Sequence, residues 1–408
     1  MHISSRAVHT RALFTGVVCV LALLNACATH VSSAPADRVG HLLATTPLID
    51  GHDDLLINYL GADRKSLGNV NQYDIRQRTT GQIDIPRMRA GHLGATIFTV
   101  GINDTTNRKA AIVASTSLLR ELANRSPADL EIVTNESGIR RAFKAGRIAG
   151  LMGLEGGDQI GGSLDVLRAS FQSGVRAMTL MWEHSNDIGD ASDGQPRHNG
   201  LSAFGDSVVR EMNRLGMLVD LSHASDSAAF DALAISTAPI ILSHSSTRAL
   251  SPAPRNAPDT LLRRIASNGG MVMVTFVGYF TTPAYADWYK RGDLQYYSLM
   301  FKYKSNRDSV KTYFAKWKEV DPPPAVTVRD VANHIEHVRD VAGINHVGIG
   351  ADFDGMADAH IVGLEDVSKY PALFEELVKR GWTNEALRKL AGENFLRVLR
   401  GVEARAGK

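Results

Sequence analysis

Cysteine is nearly absent from this chain: there are 2 in 408 residues, Cys19 and Cys27. Both precede residue 28, so no disulfide can brace the body that follows. An excess of charge of one sign is also missing. The formal net charge is +2, with 45 Lys and Arg against 43 Asp and Glu. Arg6 and Arg11 account for that excess, because the first 26 residues hold no acid. A chain balanced in this way has no electrostatic footprint for nucleic acid, nor for a membrane surface bound by charge alone. No segment approaches the about 18 uninterrupted apolar residues of a membrane-spanning helix. No Gly-rich phosphate loop follows the first apolar run, which argues against a dinucleotide-binding sheet. The rest of the composition, 44% apolar and 22% charged, is that of a folded enzyme.

The N-terminus has the layout of an export signal. Arg6 and Arg11 form a basic region, Ala12 to Leu24 an apolar stretch, and Ala26, Cys27 and Ala28 a small-residue end. Leu24-Asn25-Ala26-Cys27 looks like a bacterial lipobox, with Cys27 as the lipidated residue. Cleavage at Ala26-x-Ala28, releasing a soluble periplasmic protein, is the competing reading. Either way the protein is expected in the cell envelope, with membrane association only through that anchor. The expected layout is a signal peptide over 1–26, a small polar tether over 27–36 and one catalytic domain over 37–408.

Beyond the tether, short apolar runs alternate with amphipathic stretches. Strands are predicted at Pro47–Ile49, Ala95–Val100, Ile148–Leu154, Ala177–Met181, Met217–Leu221, Pro239–Leu242, Gly270–Phe276 and His346–Ile349. They are rich in Val, Ile, Leu and Met and do not alternate, as expected of parallel strands covered on both faces. Helical spacing is predicted over Arg108–Asn124, Ser163–Gln172, Phe204–Leu215, Ser225–Ile235, Val328–Val341, Leu364–Arg380 and Thr383–Arg400. Eight strands interleaved with helices predict an α/β fold, a closed (β/α)8 TIM-like barrel, with an open doubly wound sheet as the alternative.

Residues 278–325 break that rhythm before the last strand. The segment is rich in aromatics and lysines, from Tyr279 to Trp317, and ends at Pro322-Pro323-Pro324. Two readings fit: a helical excursion packed on the barrel, or a lid or homodimer surface beside the catalytic mouth, where such excursions land.

The chemistry stands where the strands end. His52 and Asp54 close the first, Glu155 the third, His223 the fifth and His244 the sixth, and Asp352 and Asp354 follow the eighth. Taken singly each has an ordinary reading: a hydrogen-bonded histidine, a helix-capping glutamate, a turn of Asp and Gly. In a barrel, however, all these ends meet at one rim. Imidazoles and carboxylates crowded there without a cation would repel and lose hydration. A His/Asp/Glu set without thiolate suits a catalytic zinc site, and five ligands with one carboxylate midway suit two ions sharing it. His41, His92, His334, His337 and His360 stand in helical or loop contexts and read as surface or packing residues.

The ordered motifs carry a resemblance. Asp50-Gly51-His52-x-Asp54, Glu155-Gly156-Gly157, Leu221-Ser222-His223, Ser243-His244-Ser245-Ser246, Arg255-Asn256-x-Pro258-Asp259 and Gly350-x-Asp352-Phe353-Asp354-Gly355 resemble the zinc-dependent membrane (renal) dipeptidase family. They occur in the family's order and cover about residues 37 to 400. The resemblance implies two zinc ions per chain: His52 and Asp54 on one, His223 and His244 on the other, Glu155 bridging. Arg255 would bind the substrate's carboxylate or developing oxyanion. Asp352 would handle protons without ligating, and a small dipeptide would be cleaved by a metal-bridged hydroxide. It also implies tolerance of a D-residue at the C-terminal position. One place departs. The family sets a substrate-contacting His in a Thr-Leu-Thr-His context after the fourth strand, where this chain reads Thr179-Leu180-Met181-Trp182-Glu183-His184. His184 is the nearest candidate for that donor, with Trp182 shaping the substrate pocket. Two other classes compete. A lactonase or deaminase of barrel type usually starts with His-x-His, unlike His52-x-Asp54, and a non-catalytic binding protein would have lost ligands that all stand here.

Overall fold

The structure is a computed structural model and describes residues 34–61, 66–101, 107–304, 306–355 and 361–407. Cys27, the signal region and most of the tether lie outside the described residues. Among them nine parallel strands run in chain order: β1 (Leu48–Asp53), β2 (Leu93–Val100), β3 (Leu130–Ile132), β4 (Ile148–Leu154), β5 (Val175–Thr179), β6 (Leu218–Asp220), β7 (Ile241–Leu242), β8 (Met271–Val274) and β9 (Val347–Ile349). Eight of them close a barrel. β1 pairs with β2, β2 with β4, and the series runs through β5, β6, β7 and β8 to β9, which returns to β1 at Asp50 and Ile349. The ninth, β3, covers the first half of one edge of β4, and β5 takes the second half. The predicted runs coincide with the eight barrel strands. The three residues of β3 are too short for a periodic signal.

Residues two apart on a strand share a face, and the two faces sort into two packings. Ile49, Ala95, Ile97, Ala149, Leu151 and Met273 belong to one apolar cluster, closed by Phe395 and Leu399 of the last helix, Asn394–Glu403. Phe98, Met152, Val219, Val272 and Val274 belong to the other, shared with the surrounding helices. This two-sided burial is why the strands read as continuous apolar runs.

The helices largely start where sequence signals put them. Ser163 caps Leu164–Gln172 and Ser202 caps Ala203–Leu215, each side chain accepting from a first-turn N–H. Thr327 and Asp330 form a capping box at the head of Val328–Ala342. The predicted helix at 364–380 begins later, at Tyr370–Lys379, because Pro371 needs the first turn. The one predicted from Thr383 is broken by a π segment, Lys389–Glu393, between Asn384–Arg388 and Asn394–Glu403. Residues 278–325 form the short helix Gly278–Thr281 and then a hairpin of two longer ones, Pro283–Lys302 and Arg307–Val320. Trp288 and Trp317 stack between them, 5.6 Å apart, and Phe314 stacks on Trp317 at 5.4 Å.

Candidate metal centre

β1 does not end as a regular strand. Its pairing with β2 moves from Asp50 opposite Thr96 to Asp53 opposite Phe98, so three steps on β1 face two on β2. Such a bulge re-aims a side chain, and His52 sits within it. Asp54 is no longer extended, with φ −98° and ψ 34°, and leads into the single turn Leu55–Tyr59. Two residues apart on a straight strand, His52 and Asp54 would share a face, but the chain here is not straight. A bulge and a turn bring them together, His52 Nε2 standing 3.5 Å from Asp54 Oδ2.

One oxygen is the focus of the site. Glu155 Oε1, at the end of β4, lies 3.1 Å from His223 Nε2, 3.4 Å from His244 Nε2 and 3.6 Å from His52 Nε2. The two Nε2 atoms of His223 and His244 are 3.0 Å apart, and the rings of His52 and His244 are 3.9 Å apart. Two groupings have the spacing of a metal site: His52, Glu155 and His244, and His52, Asp54 and Asp352.

Protonation in this cluster follows burial and charge. Burial pushes His223 and His244 well below the usual imidazole pKa, helped by Arg255 and His52. Burial works against a charged His52 too, but Glu155 and Asp54 hold it well above that value. Burial also lifts Glu155 well above the carboxylate range despite the pull of His52, and lifts Asp352 to about 7. His223 and His244, pushed toward the neutral form that ligates metal, face carboxylates whose charge burial disfavours, and a divalent cation would offset that cost.

The support behind the ligands is explicit. Asp220, ending β6, accepts from the backbone N–H of Ser222 at 3.0 Å and of Ser243 at 2.9 Å, and takes the Ser243 hydroxyl proton on its other oxygen. Ser243 Oγ is then free to accept from His244 Nδ1, 2.7 Å away. That network assigns the proton to Nδ1 and leaves the Nε2 lone pair facing Glu155. Asp50 plays the corresponding part under β1. It accepts from the N–H of His52 at 3.0 Å and of Ala351 at 2.9 Å, and from the Tyr370 hydroxyl. His223, Asp352 and Asp354 have φ of 70°, 66° and 65°, a strained region for side-chain-bearing residues. Asp354 secures its loop by accepting from Gln82 N at 2.6 Å and Asn58 Nδ2 at 2.8 Å.

The centre opens into a cavity of about 720 Å³ whose lining includes Asp54, Glu155, His223, Arg255 and Asp352. Arg255 is buried. Its Nη1 donates to Ser245 Oγ at 2.6 Å and its Nη2 to the carbonyl of His244 at 2.9 Å, while its Nε has no partner. Tyr279, Tyr289, Asp293 and Tyr297 of the inserted segment form another wall, so this excursion reaches the catalytic mouth. Trp182 and Glu183 also line the cavity, whereas His184 is exposed and is not part of the wall. His184 is therefore not where the predicted donor has to stand: the chain leaves the wall after Glu183 and rejoins it at Asp193.

Sequence reasoning missed Asp50, Asp220, Ser243 and Tyr370. Asp50 and Asp220 each stand two or three residues before a proposed ligand, the signal that could have found them. His334, read as a packing or surface residue, is buried. It accepts from Thr247 N at 3.1 Å and donates to the carbonyl of Thr281 at 2.8 Å, pinning the inserted segment to the loop after β7.

Similarity to known proteins agrees with this geometry. A probable dipeptidase of Pseudomonas aeruginosa superimposes with a TM-score of 0.76 at 22% identity, over 91% of this chain and 99% of that one. An amidohydrolase of the same organism does so at 0.66 and 26%, over 90% and 99%. A metallopeptidase of Rhodobacter sphaeroides, crystallised with a phosphinate mimic of the dipeptide L-Ala-D-Ala, matches at 0.70 and 24%, over 88% and 99%. The family model for membrane dipeptidase, peptidase family M19, matches residues 36–408. With nearly the whole barrel matched and the donor cluster at its mouth, the chain belongs to the membrane dipeptidase family and is a metallo-dipeptidase.

Proposed function

We propose that this metallo-dipeptidase works with two zinc ions and cleaves the single peptide bond of small dipeptides, including those with a D-residue at the C-terminal position. The observation that carries the reading is the convergence of three imidazole Nε2 atoms within 3.6 Å of Glu155 Oε1. His52 and Asp54 would hold one ion, His223 and His244 the other, and Glu155 both. When bound, the ions supply Lewis acidity and lower the pKa of water toward neutrality.

The chain's own residues do the rest. Arg255 offers a guanidinium already immobilised by Ser245 and His244, with an unpartnered Nε. A fixed fork beside the reacting bond suits the free carboxylate of a dipeptide. Glu183, Asp193 and Asp293 line the same cavity and give the substrate's ammonium group carboxylates to meet. Asp352, raised to about 7, is poised to take a proton at its carboxylate and return it to the departing amine. The D-residue rests on the Rhodobacter relative and its L-Ala-D-Ala mimic.

The test combines metal analysis with hydrolysis of stereochemically paired dipeptides. Two zinc ions per chain are expected. Arg255→Lys, which keeps the charge and loses the fork, should lower turnover of free dipeptides about a hundredfold with metal content unchanged. A metal-free preparation with full activity, or equal rates on dipeptides and their C-terminal amides, would overturn the reading.

A further inference from the structure

The overall charge balance conceals a strong local imbalance. Residues 294–318, the distal part of the inserted hairpin, hold six basic residues, Lys302, Lys304, Arg307, Lys311, Lys316 and Lys318, against one acid, Asp308. The hairpin's ion pair between Arg291 and Asp321 lies at its base. Among the described residues, Lys302, Lys304, Arg307, Lys311 and Lys316 have no carboxylate within ion-pair distance. The cations stand over aromatic rings instead. Tyr303 and Tyr313 stack with centroids 4.6 Å apart, and Lys302 Nζ is 5.3 Å from the first and 5.9 Å from the second. Lys316 Nζ is 5.3 Å from Tyr313.

The same region exposes apolar surface. Leu294 and Phe301 stand seven apart, two turns of helix, which puts them on one face, with Tyr297 between them at the rim of the cavity. Phe301, next to the turn, is 90% exposed. A large ring left in water beside the turn of a hairpin, followed at once by Lys302 and Lys304, fits neither a core nor an ordinary solvated surface.

We propose that the distal half of this hairpin docks on the surface of an anionic phospholipid bilayer. Aromatic rings settle at the headgroup boundary, and lysine stems lie along apolar surface while their ammonium groups reach phosphate. Each such lysine contributes about fivefold to partitioning. This attachment is independent of any lipid on Cys27. A second copy of the chain is the less favoured occupant, because two such tips meeting across a two-fold axis would bring like charges together.

The test uses the full chain and sedimentation with vesicles of phosphatidylcholine alone or with about a quarter phosphatidylglycerol. The N-terminal stretch, with Arg6 and Arg11, adds its own attraction to anionic lipid equally in wild type and variants, so the hairpin is read from the drop in anionic preference between them. Wild type is expected to prefer the anionic vesicles by at least about tenfold at roughly 0.1 M salt, and to lose that preference at roughly 0.5 M. The triple variant Lys302→Glu, Lys304→Glu, Lys311→Glu should cut that preference by at least about tenfold at roughly 0.1 M salt. Phe301→Ser, which keeps every charge, should weaken it several-fold. None of these residues lines the cavity, so unchanged dipeptide turnover certifies the fold of each variant. Equal partitioning of wild type to both vesicles, or a triple variant whose anionic preference matches that of wild type, overturns the proposal. So does a concentration-dependent dimer that Phe301→Ser dissolves without any lipid preference, which would give the face to a second copy.

Discussion

The barrel mouth and the inserted hairpin break the rule of polar outside and apolar inside in opposite directions. At the mouth, His52, His244, Asp50, Asp220 and Arg255 are buried, each held by named hydrogen-bond partners. On the hairpin, Leu294 and Phe301 face solvent. Burying charge is costly unless it is paired or coordinates a metal, and exposing rings forgoes the stabilisation of burial. Departures of both kinds mark places where function outweighs stability. The two regions also differ in tolerance. A change at the mouth leaves a partner stranded, whereas a change at the hairpin tip leaves nothing unpaired.

The largest effect expected from that contrast is at Glu155. Glu155→Gln keeps the shape but replaces one acceptor oxygen with a donor amide, which faces His223 and His244 with the wrong polarity. Both proposed metal positions should empty together. Dipeptide turnover should fall by more than the roughly 10²–10³ that one oxyanion donor is worth. Removing metal from wild type with a chelator should reproduce the loss, and restoring zinc should reverse it only in wild type. The contrast breaks if Glu155→Gln keeps a full complement of metal and near-normal turnover.

Next in size is Asp220→Asn, one step behind the ligands. Asp220 accepts from two backbone N–H groups and from Ser243. An amide cannot accept at every one of these, so the Ser243 hydroxyl loses its acceptor and His244 loses the partner that keeps its proton on Nδ1. Outer partners of this kind are worth about 10–100-fold in metal affinity. Zinc competition with a calibrated chelator should show that loss on a protein that still folds. Unchanged affinity would mean that Asp220 serves the backbone turn alone.

How far the sequence could be read depended on the range of the forces involved. The strands were legible because parallel strands covered on both faces become apolar runs, and the helix starts because Ser163, Ser202 and Thr327 cap them locally. The donor cluster was legible because ligand-type residues end the strands and the barrel gathers strand ends. The bulge at His52 was not, since it appears only when β1 is laid against β2. Nor was Tyr370, which reaches Asp50 across 320 positions of chain. The charge of the hairpin was present in the letters but vanished into a net charge of +2. Only the fold, which pairs the helices Pro283–Lys302 and Arg307–Val320, makes it local.

The smallest effect concerns the step after β5, where the resemblance left His184 as the nearest candidate donor. A donor to a tetrahedral oxyanion must reach the cavity, and its removal costs about 10²–10³ in turnover. His184 is exposed, and the wall at this point is made by Trp182 and Glu183. A two-residue step preserves facing only while the chain stays extended, and β5 ends at Thr179. The facing of residue 182 therefore does not carry over to 184. His184→Ala should change turnover by no more than the about twofold typical of surface substitutions. Trp182→Ala, which removes a half-buried ring from the wall, should raise KM for dipeptides more than it lowers kcat. A hundredfold fall in kcat for His184→Ala, with both metals retained, would return the donor role to His184. It would also require the loop between Trp182 and Asp193 to close over the substrate.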